Sequence, residues 1–190
     1  LLFSLPGTPV MRYGDEIGMG DDQSLPDRKS VRTPMQWTAD PHGGFSRAEK
    51  TELPAIAEGP FSFRQINVAA QRLDNHSLLN LNERFIRVRK ECPEFGWGQH
   101  EVLRTRSPNV LAVRCHWRGN AVLTLHNFSS EARTITLTVP EGENLPLTNL
   151  LADDHAPANP KGEHQFTLGP YEYRWFRVGP LLDVATRVPC

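Results

Sequence analysis

Near residue 95 the apolar residues of this sequence change their spacing, and the change divides the chain into two kinds of structure. In SLLNLNERFIRVRKE, residues 77–91, Leu78, Leu81, Phe85 and Val88 recur at intervals of three and four, which predicts a helix with one buried stripe. Ser77 stands where it can cap the first turn. Arg87, Arg89 and Lys90 fall where cations favour a helix C-terminus, and Cys92-Pro93 stops the helix. Beyond the Gly-rich stretch Phe95 to Gly98 the period becomes about 2 residues, the spacing of a half-buried strand. NVLAVRCHW places Leu111, Val113, Cys115 and Trp117 on one face, taken as the inner one, and Arg118-Gly119-Asn120 turns the chain into AVLTLHNF. TITLTV sets Ile135, Leu137 and Val139 against Thr134, Thr136 and Thr138. With segments near Val102, Leu147, Phe166 and Tyr173 to Val178 this predicts about seven short antiparallel strands, a β-sandwich with one wet face on each sheet.

Upstream of the helix the pattern differs. LLFSLPGTPVMRY reads as a helix end, a tight turn around Pro6, Gly7 and Pro9, and a short buried strand over Val10 to Tyr13 of a parallel sheet. From Gly14 to about Gln65 no period survives, and Gly, Pro, Asp and Ser recur. A connection of this length is uncommon in a compact domain unless it is functional or a linker. Because it holds Met35, Trp37, Phe45, Phe61 and Phe63 it is too apolar for a flexible linker, and an ordered loop over a site is expected. Strand, long loop and helix followed by an antiparallel module is the order that the end of a (β/α)8 barrel and a β-sandwich would produce. The expected division is barrel end 1–93, linker 94–99, sandwich 100–178 and tail 179–190. Alone, the barrel end would leave strand edges unpaired.

A formal charge of -1 with both signs interspersed gives no electrostatic footprint for nucleic acid or a membrane surface. Three cysteines, Cys92, Cys115 and Cys190, are too scattered for a disulfide framework or a metal-type pair, so reduced thiols and a cytoplasmic location are expected. Cys115 shares its face with Leu111 and Val113 and reads as core. His42, His76, His116, His126 and His164 lack ligand spacing, and the histidines in strands alternate onto the expected wet face. Asp21, Asp22 and Asp27 have no EF-hand spacing and read as a solvated loop, with Asp27 free to pair with Arg28 or Arg32. Asp15 and Glu16 follow the expected strand, where adjacent side chains point to opposite faces and cannot easily flank one bond. Trp37 suits either a stacking face for a sugar ring or a hydrophobic anchor for the loop.

The runs GTPVMRYGDEIGMGD and VRTPMQW, with GGFS following, resemble the eighth-strand segment and succeeding loop of glycoside hydrolase family 13, and most of all its trehalose synthase branch. In the sandwich only LTNLLADD and PYEYRWFRV resemble the family's closing strands. The resemblance implies a retaining enzyme, in which one carboxylate attacks the anomeric carbon and another protonates the leaving oxygen, the two carboxyls lying about 5 to 5.5 Å apart. It places the catalytic acids before Leu1, so this chain alone is expected to be inactive and to form part of a pocket wall. It implies that Arg32, in R-x-P-M-Q-W, helps recognise a glucose unit, which suits a guanidinium fork with several donors. Trp37 is expected beside it at the substrate, with Asp15, Glu16, Asp27 and Gln36 supporting the pocket. No cofactor is expected in this chain, with calcium an option for the preceding part. The implied substrates are maltose, trehalose or short α-glucosides, interconverted by intramolecular transglucosylation. The alternatives are a hydrolytic α-glucosidase or oligo-1,6-glucosidase and, from another class, a noncatalytic carbohydrate-binding sandwich with Trp97 and Trp117 as its aromatics.

Overall fold

The computed structural model describes residues 1–140 and 142–179. The chain forms two compact units: Pro9–Arg87, and Leu1–Thr8 together with Val88 and the described residues after it.

The second unit is the sandwich. Its strands are β1 Gln99–Leu103, β2 Val110–Trp117, β3 Asn120–Asn127, β4 Arg133–Thr138, β5 Leu147–Asn149, β6 Glu163–Leu168 and β7 Tyr173–Val178. They form a five-stranded sheet of order β1-β2-β3-β7-β5 and a two-stranded sheet β4-β6. Between β2 and β3 the pair Trp117↔Asn120 closes a two-residue loop, with φ 49° at Arg118 and 77° at Gly119. Positive φ at both central positions is the signature of the turn that matches strand twist. Ile135 and Leu137 of β4 face inward and the threonines between them outward, as the alternation predicts.

The central strands β2 and β3 of the five-stranded sheet are buried on both faces, which corrects the wet face expected there. Residues paired directly across a ladder share a face, so Ala112, Leu125, Leu123 and Phe176 lie together toward β4 and β6 in the sandwich core. The opposite face carries Val113, Cys115, Val122, Thr124 and Trp175, and these are buried too. The core face of β2 is therefore the one bearing Val110 and Ala112, and the face read as inner is covered from outside the sandwich. A four-residue helix, Glu94–Trp97, supplies part of that cover: the Phe95 ring lies 5.0 Å from that of Trp175. The start of the expected linker is thus buried structure, with Phe95 0% and Glu94 2% exposed, while Trp97 is 72% exposed. Glu94 Oε1 accepts from Arg177 Nη1 at 2.7 Å, and Arg177 Nη2 lies 3.2 Å from Cys92 Sγ. Burial opposes the Arg177 charge, but the bond to Glu94 and the neighbouring Cys92 and Glu94 hold its pKa above the ordinary value.

Residues at the start of the chain complete this cover. Ser4 Oγ and His126 Nε2 are 2.8 Å apart, and His126, expected at the surface, is 6% exposed. His164 is also buried rather than wet. Arg89 donates to the carbonyls of Phe3 (2.5 Å) and Gly7 (2.7 Å), pinning the first turn. Cys115 is fully buried, and burial pushes its thiol up to about 12. Gly179 is buried and donates to Pro146 O at 2.7 Å, whereas the rest of the expected tail, 180–190 with Cys190, lies outside the described residues.

In the unit Pro9–Arg87 the described residues form no strand. Val10 and Tyr13, expected in a buried strand, are 81% and 51% exposed. A strand is held by its ladder, and no segment of the unit offers these residues one. Three short 3-10 turns, Asp15–Ile17, Asp27–Lys29 and Pro41–Gly44, punctuate the loop before the helix Val68–Leu73. This helix is absent from the sequence reading because its six residues are too few to show a period. Its start is nevertheless conventional, with Asn67 Oδ1 accepting from Ala70 N at 2.8 Å. The long helix spans Leu78–Glu91, and Ser77 Oγ accepts from Asn80 N at 3.3 Å, as the capping expectation requires. Leu79 and Asn82 pack toward the loop, and Leu78, expected in the buried stripe, is 41% exposed.

Candidate functional site

The loop is organised by a small apolar centre and by side chains that bond to backbone. Ile17, Met35 and Val68 form the centre, with Met19, Ile66 and Leu79 against them. Gly14, at φ 95°, starts the knot that inserts Ile17, and a Cβ there would sit 2.7 Å from Met19 Sδ. Glu16 Oε2 accepts from Gly14 N at 2.7 Å, and Asp15 Oδ2 accepts from Arg12 N at 3.0 Å. These two carboxylates therefore lie in a 3-10 turn rather than on a strand, each engaged with backbone of the same knot. Gln36 is fully buried and donates through Nε2 to Ile66 O (2.6 Å) and Phe61 O (3.2 Å), so one side chain fastens the two ends of the 61–66 segment.

These ties bring one face of the loop around a cavity of about 480 Å³. Tyr13, Glu16, Arg32, Trp37 and Phe45 line it, with Thr51, Glu52 and Leu53 across from the sequence motif in chain order. Tyr13 Oη donates to Thr33 O at 2.9 Å, which fixes the chain next to Arg32. The backbone of Trp37 is held from both sides, its N–H donating to Gly43 O at 2.8 Å and its carbonyl accepting from Ala69 N at 2.9 Å. Its ring stays 46% exposed, so the buried anchors of the loop are Met35 and Gln36 and not this indole. The bend that returns Gly43 to Trp37 runs through His42, Gly43 and Gly44 with φ of 56°, 67° and 68°, which explains the pair of glycines before Phe45.

Of the residues singled out in the sequence, Arg32, Trp37 and Glu16 share this cavity, while Asp15, Asp27 and Gln36 do not line it. Asp27 stands at φ 51° and makes no ion pair among the described residues, so the expected pairing with Arg28 or Arg32 is not formed. Asp21 pairs instead with Arg12 at 3.4 Å, and Asp22 accepts from Ser24 Oγ at 2.6 Å. Among the described residues no three His, Cys, Asp or Glu side chains are grouped to hold a metal ion. Tyr13 and the 51–53 segment escaped the sequence reading: the first was assigned to a strand, and the second carries neither period nor motif. Chemically, the cavity offers a guanidinium, two carboxylates and three exposed aromatic rings, a set suited to a neutral polyol with apolar ring faces.

Residues 1–98 match the family described as Alpha amylase, catalytic domain, and residues 119–177 match Sucrose hydrolase-like, C-terminal domain. Trehalose synthase of Thermus thermophilus is 39% identical over 184 residues, 95% of this chain and 19% of its own length. The trehalose synthase/amylase of Mycobacterium tuberculosis is 38% identical over 183 residues, 94% of this chain and 30% of its own. The chain thus spans less than a third of these relatives. The crystal structure of Bacillus licheniformis trehalose-6-phosphate hydrolase superposes with a TM-score of 0.70 at 19% identity, covering 94% of this chain and 37% of that one, a likeness of fold. No helix among the described residues is long and apolar enough to cross a membrane. With the catalytic-domain match covering just over half of its length, from the cavity loop through the long helix, the chain belongs to the α-amylase family, glycoside hydrolase family 13.

Proposed function

We propose that this chain is the loop-and-sandwich part of an enzyme that interconverts maltose and trehalose by intramolecular transglucosylation. The observation that carries the proposal is the 38–39% identity to a trehalose synthase and a trehalose synthase/amylase across 94–95% of the chain. The carboxylates that attack and protonate the glycosidic bond belong to the rest of the protein. Here Arg32 donates to hydroxyls of a glucose unit, Trp37 and Phe45 offer faces for its apolar side, and Glu16 steadies the wall through its bond to Gly14. Retaining a released glucose until it reattacks requires that water be kept out, and a bulky wall of Trp37, Phe45 and Met35 serves that end. The buried, reduced Cys92 and Cys115 are in keeping with a cytoplasmic enzyme.

The test is an assay of the full-length enzyme on maltose. Trehalose should be the main product, and the 190-residue chain alone should be inactive. Arg32→Lys should lower kcat/KM by about tenfold or more, since a single ammonium replaces a fork of charge-assisted donors worth roughly 1.5–3 kcal/mol. Glucose as the sole product would reject the isomerase reading in favour of a hydrolytic α-glucosidase.

A further inference from the structure

The cavity that carries Arg32 has a second wall, formed by a later segment of the loop. Glu52 lines this wall with Thr51 and Leu53. Its carboxylate makes no hydrogen bond or ion pair among the described residues, and neither does the guanidinium of Arg32. Glu16 lines the same cavity with one oxygen already committed to Gly14 N. Among the lining residues one cation therefore stands against two carboxylates, so the cavity is net acidic. The segment 47–54 makes no backbone–backbone hydrogen bond among the described residues, so the position of Glu52 follows the path of the chain and its side chain supports nothing else.

A neutral disaccharide and its phosphorylated counterpart differ by a dianion on one hydroxyl. A neutral sugar meets Glu52 as an acceptor for its O–H groups and Arg32 as a donor, and both charges are used. A phosphorylated sugar satisfies Arg32 but places its dianion beside two carboxylates, where like charges repel and salt screens the repulsion. The geometry points to Glu52 as a specificity-determining residue that admits neutral disaccharides and rejects phosphorylated ones. This rests on the reading of the cavity as a disaccharide site given above. It extends that reading from the kind of sugar to the charge it carries. The solved phosphorylated-sugar hydrolase shares the fold at 19% identity, so discrimination on charge must lie in side chains such as this one rather than in the architecture.

The experiment uses the full-length enzyme converting maltose, with trehalose 6-phosphate as competitor, in wild type, Glu52→Gln, Glu52→Lys and Glu52→Asp. The quantity read is the inhibition constant of trehalose 6-phosphate divided by the KM for trehalose. That ratio should fall about tenfold in Glu52→Gln, where one like charge is removed, and further in Glu52→Lys. It should return toward wild type in Glu52→Asp, and the differences should shrink as salt is raised, which a purely structural effect would not do. A ratio within twofold of wild type in both the Gln and Lys variants overturns the inference, as does the absence of inhibition in both at the highest soluble concentration. Failure of the wild type to interconvert maltose and trehalose sinks the functional reading itself, whatever the Glu52 variants do.

Discussion

The two units solve the same problem, fixing a backbone, by opposite means. From Val88 onward the chain is held by ladders and by an apolar core in which Leu123, Leu125, Leu147 and Leu168 are fully buried. Over Pro9–Arg87 the apolar centre is three buried residues, and much of the rest is held by single side chains reaching backbone: Gln36 to Phe61 and Ile66, Asn67 to Phe63, Gln71 to Ile17, Asn82 to Glu16. Ladders repeat, so the loss of one bond is shared by its neighbours. A lone amide reaching a carbonyl has no understudy. Irregular backbone can be shaped around a ligand as a sheet cannot, and the cavity lies in the unit built this way.

The largest expected effect probes a place where the sandwich unit departs from its own rule. Glu94→Ala leaves the Arg177 charge buried without its partner and should cost about 3–5 kcal/mol in denaturant unfolding. Replacing both partners together by apolar residues should recover most of that loss, because the penalty belongs to the orphaned charge. If the single variant is as stable as wild type, the sandwich does not depend on this buried pair.

Next comes the proton dependence of the same unit. Burial pushes the His126 imidazole down from 6.5 to about 4. The unfolded chain gains a proton as pH falls below about 6.5, and the folded chain does not until about 4. Stability from this group is full above the upper value and should decline across the window by at most about 3 kcal/mol. Unfolding midpoints measured from pH 7 to pH 4 should show this slope in wild type and a shallower one in His126→Gln.

The smallest effect sharpens the other side of the comparison. A Cβ on Gly20 would lie 2.5 Å from the Phe61 ring, so Gly20→Ala must displace the segment that Gln36 fastens. The expected cost is about 1–3 kcal/mol, the usual range for overpacking, with maltose turnover in the full-length enzyme falling more than the melting temperature suggests. Wild-type kinetics in this variant would show that the loop tolerates movement and that its bonds do not shape the cavity.

Legibility followed the same division. The strands and the long helix stand where the periods put them, and Arg118-Gly119 makes the turn its sequence implies. Of the candidate site, Arg32, Trp37 and Glu16 are gathered around one cavity, but the wall bearing Glu52 left no trace in composition or spacing. The misplaced residues share a cause. Val10 to Tyr13 has the composition of a strand and no ladder partner among the described residues, while the stretch read as a linker holds Glu94 and Phe95 in the core beside an exposed Trp97.

The order of amino acids settled by itself where the helix and strands run, which side chains alternate, and through the Arg32 motif which family the chain resembles. These depend on neighbours three or four residues away at most, or on a contiguous run of residues. Tertiary structure alone decided which face of β2 meets the sandwich core, that His126 and Glu94 are buried, and that Glu52 stands on the same cavity as Arg32. Periodicity states that two faces differ without saying what covers each, and burial is set by whatever distant segment arrives there.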